Sequence, residues 1–373
     1  MSYQCCAAKD LDAATCERWE SIRHAGRIYR SPFFSPYFVQ TVSHLAPDIE
    51  VGIARRNDVA VAFFPFQRFR GSIARPVGVG INDAHGLIAN RGEDISLRDV
   101  MAHCGLKTFP FHASPLESSD ILQHEVGRTR AFLADLTVDP LGYEHFLKSN
   151  SQTIEKQAQK TRRMVRELGE LRFEFDCRDP QMLQRLVDLK SAQYRRTHIF
   201  DILGVPWIRL LLNDLIHNPA GQLRDTQANS TDFGKHRSAR GILNVLYAGE
   251  TPVALHYGMT DGDLIHYWFP VFDPRFAFGS PGTQLFLEVA REGRSRGYTA
   301  IDMGYGEQEY KYKLTNVITE MSFGIVTDSL LSRRWYVGKR TALAKLKQLK
   351  IKETIKPMAR RLLPGFGRSQ YEA

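Results

Sequence analysis

Two stretches of this 373-residue chain hold residues whose type and spacing could do chemistry. The first is DMGYGEQEYKYK (302–313), which follows the short run TAI. Carboxylates, phenols and amines crowd into it just past the end of a strand-like segment, where α/β sheets bind their ligands. Asp302, Glu307 and Glu309 are candidate bases or cation partners, and Tyr310 and Lys311 are candidate donors. The second is FGSPGT (278–283), where Ser280 reads as a helix N-cap and Pro281 as the first helical residue. Gly279, Ser280, Gly282 and Thr283 would let an anion approach unpaired helix amides, with Arg275 upstream to pair a second phosphate. Elsewhere, His256 and His266 sit in apolar runs, where a histidine serves either as a base or as a packed core residue. Asp83 and His85 lie in the glycine-rich turn PVGVGINDAHGLIA (76–89).

Several chemistries have no support. Neither Gly-x-Ser-x-Gly nor a Cys–His signature is present, so a covalent route is not indicated. GVGIND lacks the third glycine of a dinucleotide fingerprint. The 12 His and five Cys (Cys5, Cys6, Cys16, Cys104, Cys177) show no metal-ligand spacing and no disulfide framework, so no metal and a reducing, cytoplasmic compartment are expected.

The elements that must position these residues are legible. DLIHYWFPVF (263–272) reads as a strand, the segment after Ser280 as a helix with Leu285, Phe286, Val289 and Ala290 on its buried face, and TAIDMG as a second, buried strand. Gly297 ends the helix. VGIARRNDVAVAFFPFQRF (51–69) and LNVLYAGETPVALHYGMTDGDLIHYWFPVF (243–272) both read as strands joined by tight turns, which suggests two copies of one domain type. Between them, residues 151–168 form a basic helix carrying Lys156, Lys160, Arg162, Arg163 and Arg166, ended by Gly169 and followed by the strand LRFEFD. Two more helices are expected at 179–197 and 206–218. The polar segment 224–241 reads as a mobile insertion in a hairpin.

Positive charge is concentrated at one end. Residues 331–373 carry 12 Lys and Arg against two acids, while the remaining residues are almost neutral. TALAKLKQLKIKETIK (341–356) can form a basic amphipathic helix able to lie on an anionic membrane surface. No run is long and apolar enough to span a bilayer, the N-terminus does not read as a signal peptide, and no nucleic-acid-binding motif is present.

In order and spacing, SPFFSPYFV (31–39), VAVAFFPFQ (59–67), PVGVGINDAHGLIA, the basic 151–168 helix, LKSAQYRRTHIFD (189–201), VLYAGETPVALHYGM (245–259), HYWFPVFDPRFAFGSPG (266–282) and AIDMGYGEQEYK (300–311) resemble the FemAB-like, CelD-type branch of the GNAT acyltransferase superfamily, associated with cellulose and envelope polysaccharide production. The resemblance spans about residues 15–325. It implies tandem GNAT-like α/β domains, each a mixed twisted sheet flanked by helices, over residues 1–145 and 146–330, with 331–373 as a basic tail. It implies an acyl-CoA cosubstrate on the second domain. Its pantetheine arm would enter between strands 263–271 and 299–304, which splay apart, and its pyrophosphate would rest on Gly279–Thr283. The SPGT turn departs from the usual glycine-rich loop and offers fewer backbone donors.

Within that frame Asp302, His256 and Glu307 are the catalytic candidates, and Arg275, Gly279, Ser280, Gly282 and Thr283 the cofactor-binding ones. Asp83, His85, Tyr310 and Lys311 are the acceptor-binding candidates. The expected activity is transfer of an acyl group to an amine or hydroxyl of a sugar or amino-compound precursor in the cytoplasm, with the tail meeting an anionic inner-membrane surface or a synthase partner. Two other function classes remain: an aminoacyl-tRNA-dependent transferase, with RNA held by the basic helix and tail, and a non-catalytic accessory protein of a polysaccharide synthase.

Overall fold

The computed structural model describes residues 1–116, 119–150, 152–217 and 239–348. The first half builds β1 (Ser2–Ala7), α1 (Ala13–Ala25), α2 (Pro36–Leu45), β2 (Ile49–Arg56), β3 (Val59–Arg70), β4 (Ile73–Arg75), β5 (Ile88–Ala89), α3 (Leu97–His103), β6 (Thr108–Pro115), α4 (Ser119–Leu122) and β7 (Glu125–Asp135). The second builds α5 (Tyr143–Asn150), α6 (Gln152–Leu168), β8 (Leu171–Glu174), α7 (Pro180–Arg196), α8 (Pro206–His217), β9 (Arg240–Ala248), β10 (Thr251–Asp261), β11 (Leu264–Phe272), α9 (Pro281–Ser295), β12 (Ala300–Tyr305), α10 (Glu309–Leu314), β13 (Val317–Thr327) and α11 (Leu330–Gln348).

Local chemistry sets these boundaries. Asn57 and Asp58 both adopt positive φ (50° and 64°), the backbone of the turn whose twist matches a β2–β3 hairpin. Gly249 turns β9 into β10 with φ of 55°, and a Cβ there would strike the Leu168 carbonyl. Asp179 caps α7 by accepting from the Gln181 amide, with Pro180 at the first turn.

All the principal strands join one sheet in the order β1-β2-β3-β4-β6-β13-β7-β12-β11-β10-β9-β8. The two halves therefore interleave. β7, from the first, pairs with β12, and β13, from the second, lies between β6 and β7. α1, α2, α7 and α8 cover one face, where Trp19, Phe38, Leu186 and Leu211 pack with Val51, Ile53, Val245 and Leu255. On the other face Leu97 and Val100 of α3 pack on Phe64 and Phe109, and Leu147, Met164 and Leu285 of α5, α6 and α9 pack on Ile242, Leu246 and Ile301.

Two expectations need correction. The helix expected at 341–356 already begins at Leu330, because its first turns dock on the sheet: Tyr336 donates to the Phe111 carbonyl at 3.1 Å, and the Arg340 guanidinium lies 4.4 Å from the Phe323 ring centre. The expected insertion 224–241 lies outside the described residues up to 238, but Arg240 and Gly241 already belong to β9, paired with Thr260 and Met259. The tail beyond 348 also lies outside the described residues.

Candidate functional site

β11 and β12 run parallel and pair at only three positions, Leu264–Ala300, Ile265–Ile301 and His266–Asp302. Beyond the last pair they separate. β12 turns at Gly304 (φ 67°), with a register shift against β7, while β11 continues to Phe272 paired with β10 alone. The expected splay is present, and its apex is His266–Asp302.

The turn that carries Asp83 closes this apex from the first half. The Trp268 indole donates to the Ile81 carbonyl at 2.9 Å, pinning that turn against β11. His266 is fully buried between two carboxylates: Nδ1 lies 3.3 Å from Asp302 Oδ2, and Nε2 lies 3.4 Å from Asp83 Oδ2. The second contact is ionic and not an aligned hydrogen bond. Burial alone would lower the imidazole pKa, but Asp302 and Asp83 outweigh it and hold it at about 9. Asp302 is half-buried, yet His266 and the Gly304 amide (2.8 Å to Oδ1) keep its pKa below the ordinary value. The unit is thus one imidazolium between two carboxylates. Gly304 is required beside it, since a Cβ there would overlap Asp83 Oδ2.

From this apex a cleft of about 1580 Å³ opens between the halves. Asp83, Lys190, Tyr194, Tyr267, Tyr310 and Lys311 are among its lining residues, with Glu307, Trp335 and Arg340 also in its wall. Lys311 is buried and donates to the Tyr305 carbonyl at 2.8 Å, so it braces the 304–305 turn. Burial lowers its pKa, against the pull of Asp83 and Asp302. Tyr310 is pushed up to about 12 by burial and by Asp83. Lys190 donates to the Pro270 carbonyl at 2.8 Å, on the part of β11 that has left β12. Burial lowers its amine to about 8.

The candidates thus divide. Asp83, Asp302, Tyr310 and Lys311 gather around the apex. Glu307 is exposed at the cleft wall, 3.9 Å from Arg130. His85 is sealed in: Nε2 accepts from the His112 amide at 3.0 Å, and Nδ1 lies 3.4 Å from Asn82 Oδ1. His256 is a core residue, bonded to Asn244 at 3.0 Å, stacked on Tyr267, and held neutral first by burial and then by His266 and Lys190. Lys190 and Tyr267 are the groups that sequence reasoning did not single out, and His266 is the one it left open between base and core residue. The alternation HYWF placed His266 and Tyr267 on opposite faces of one strand, but not beside residues so distant in the chain.

The start of α9 differs from the expected anion cradle. Ser280 takes the cap position in the left-handed region (φ 47°) and makes no side-chain cap bond; instead its Oγ accepts from Lys160 at 2.8 Å. The Ser280 amide goes to Ala277, the Thr283 and Gln284 amides both go to the Ser280 carbonyl, and Pro281 has none. α6 lies across the turn, with Gln157 donating to the Gly279 carbonyl at 3.1 Å and Met164 filling the space a Gly279 side chain would need. Arg275 is committed to Asp273 at 2.6 Å. A diphosphate would find the Gly282 amide and the Lys160 ammonium, not a nest of amides, so the expected pyrophosphate cradle does not fit.

Residues 153–312 match the family model described as an acetyltransferase (GNAT) domain. No curated protein matches the chain. Among solved structures, FemX is similar at 8% identity and a TM-score of 0.54, over 87% of this chain and 96% of that one. The C-terminal domain of a proposed lysylphosphatidylglycerol synthetase from Agrobacterium fabrum is similar at 14% identity and a TM-score of 0.50, over 87% and 94%. At these identities the likeness is one of fold. The mixed sheet flanked by helices is the α/β architecture that the resemblance implied, with both halves joined in one sheet and the GNAT match lying in the second. Among the described residues no helix is long and apolar enough to cross a membrane, and no group of His, Cys, Asp and Glu could hold a metal ion.

Proposed function

We propose that the chain is a transferase that moves an acyl group from a carrier to an amine or hydroxyl of a sugar or amino-compound precursor in envelope or polysaccharide synthesis. The observation that carries this reading is the parting of β11 and β12 directly beyond His266–Asp302, into a cleft that both halves line. An extended acyl carrier can lie along the unpaired edge of β11, which brings its carbonyl to the apex.

The residues have distinct tasks in this reading. The Asp83–His266–Asp302 unit carries one net negative charge, which suits an acceptor bearing an ammonium or several hydroxyls. Asp302, with its lowered pKa, is a poor base, and its task is to orient His266. Lys190 is the better proton acceptor, since its amine is half neutral near pH 8. Positioning the acceptor against the carbonyl supplies the remainder of the rate.

The acetyltransferase-domain match suggests an acyl-CoA donor. The edge of β11 suits its arm, while the α9 start does not suit its diphosphate. A second reading, an aminoacyl-tRNA ester donor, is favoured by the exposed cations Lys156, Lys160, Arg162, Arg163 and Arg166 on α6, of which Lys160 reaches Ser280 at the start of α9. Thermal shift and acyl loss with acetyl-CoA and with charged tRNA test both. Acyl loss from neither refutes the transferase reading and leaves the accessory-protein alternative.

A further inference from the structure

Tyr267 is the first residue of β11 beyond its last pair with β12. Its ring is fixed in place: His256 stacks on one face with ring centres 3.9 Å apart, and Phe286 meets it edge-on at 5.4 Å. The residue is 5% exposed, its hydroxyl is shut off from solvent and has no hydrogen-bond partner among the described residues, and its side chain is one of those lining the cleft. Other buried tyrosine hydroxyls are satisfied: Tyr257 donates to the Leu212 carbonyl at 2.7 Å and Tyr143 to the Leu314 carbonyl at 2.9 Å. A desolvated hydroxyl with no partner lowers stability, and its retention points to a bond made only with a ligand.

We infer that the Tyr267 hydroxyl donates a hydrogen bond to the oxygen of the reacting carbonyl and holds the negative charge that develops there. The inference rests on the acyl-transfer reading of this cleft. In the step, the acceptor lone pair forms the new bond to the carbonyl carbon while the carbonyl π electrons move onto oxygen, opposite the Tyr267 O–H. The carbonyl then re-forms, the bond to the carrier sulfur or oxygen breaks, and the proton given up by the acceptor ends on that leaving atom. Tyr267 keeps its own proton throughout: burial, and next to it Tyr310, push the phenol well above its ordinary pKa. A neutral donor fixed by two ring contacts needs no reorganisation as charge builds on the oxygen.

The test is Tyr267→Phe in the full chain, which removes the oxygen and keeps both ring contacts. Acetyl-CoA, S-acetyl-N-acetylcysteamine and a charged tRNA mixture serve as donors, with water or glucosamine as acceptor, and loss of the acyl group from each donor is the readout. The expected result is a kcat lower by about 10²-fold or more on whichever donor the unaltered protein uses. KM should stay within a few-fold and the melting temperature unchanged or higher, because the lost hydroxyl was unpaired in the free protein. A kcat retained within about three-fold overturns the inference. So does a melting temperature that falls together with kcat, since that marks a structural hydroxyl. If the unaltered protein takes the acyl group from none of the donors, the acyl-transfer reading itself fails, and the role of Tyr267 with it.

Discussion

Stability against pH should expose two groups that pull in opposite directions, the buried His266 and the half-buried Lys190. His266 is held at about 9, against an ordinary value of 6.5. A shift of this size corresponds to roughly 3 kcal/mol for a fully buried group. Because the folded value is raised, this contribution is complete below about pH 6.5 and is lost as pH climbs through 9. Lys190 is lowered from 10.5 to about 8. Burial disfavours its charge, so it destabilises the fold by a similar ~3 kcal/mol below pH 8, and that penalty fades as pH rises toward 10.5. The unaltered protein should lose stability between about pH 6.5 and 8, change little where the windows overlap, and recover above 9. Urea unfolding midpoints measured from pH 6 to 10.5 on the protein, on His266→Gln and on Lys190→Met would separate the two. Subtracting His266→Gln should leave a difference that shrinks by about 3 kcal/mol from pH 6.5 to 9; subtracting Lys190→Met should leave a difference of opposite sign at higher pH. A difference between protein and His266→Gln that does not vary with pH would mean the imidazole is not held charged between Asp83 and Asp302.

Three further outcomes follow from the same geometry. Gly304→Ala places a Cβ in the left-handed region and against Asp83, so it should cost about 1–3 kcal/mol and lower activity more than stability accounts for; an inert substitution would show that Asp83 does not depend on this turn. Lys190→Arg keeps a charge but not a titratable amine, so the limb of kcat/KM that rises toward pH 8 should vanish in it as in Lys190→Met; rescue by arginine would make the residue an anion binder instead of a base. Trp335 is 63% exposed among the exposed side chains of Leu330, Leu331, Arg333 and Arg334, so its emission should shift to the blue on anionic vesicles but not on neutral ones. Replacing Arg333 and Arg334 by Gln should weaken that binding by roughly 30-fold, at about 1 kcal/mol per charge; equal shifts on both vesicle types would remove electrostatics from the account.

The fold was legible where one short segment decides the backbone. Asn57-Asp58 and Gly262 mark hairpins through positive φ, Gly169 stops α6, and Pro281 starts α9. Legibility ended where distant segments decide. Ser280 looked like a cap because its type and the following Pro281 are those of a cap, but α6 draws its Oγ to Lys160 and the backbone into the left-handed region. Nothing local in β13 indicates that it inserts between β6 and β7. At the site, Asp302 and Asp83 stood out as charges in turns. His266 was ambiguous because a histidine in an apolar strand owes its state to whatever faces it, here a carboxylate from each half.

The interleaved sheet explains why the site needs the whole chain. β12 holds Asp302, and β12 is flanked by β11 of its own half and β7 of the other. β7 is itself held in place by β13, which returns from the second half. The wedge between β11 and β12 can open on the cleft side because β12 remains anchored by β7 along its far edge, while β11 remains anchored by β10. The first half then supplies Asp83 across the opening, locked by the Trp268–Ile81 bond. A single half would expose the open edge of β12 and leave His266 with one carboxylate, so neither the splay nor the charged unit would persist. Sharing strands is thus the physical condition for keeping a parted, unpaired strand edge in a stable protein, and that edge is the one on which the proposed acyl carrier would lie.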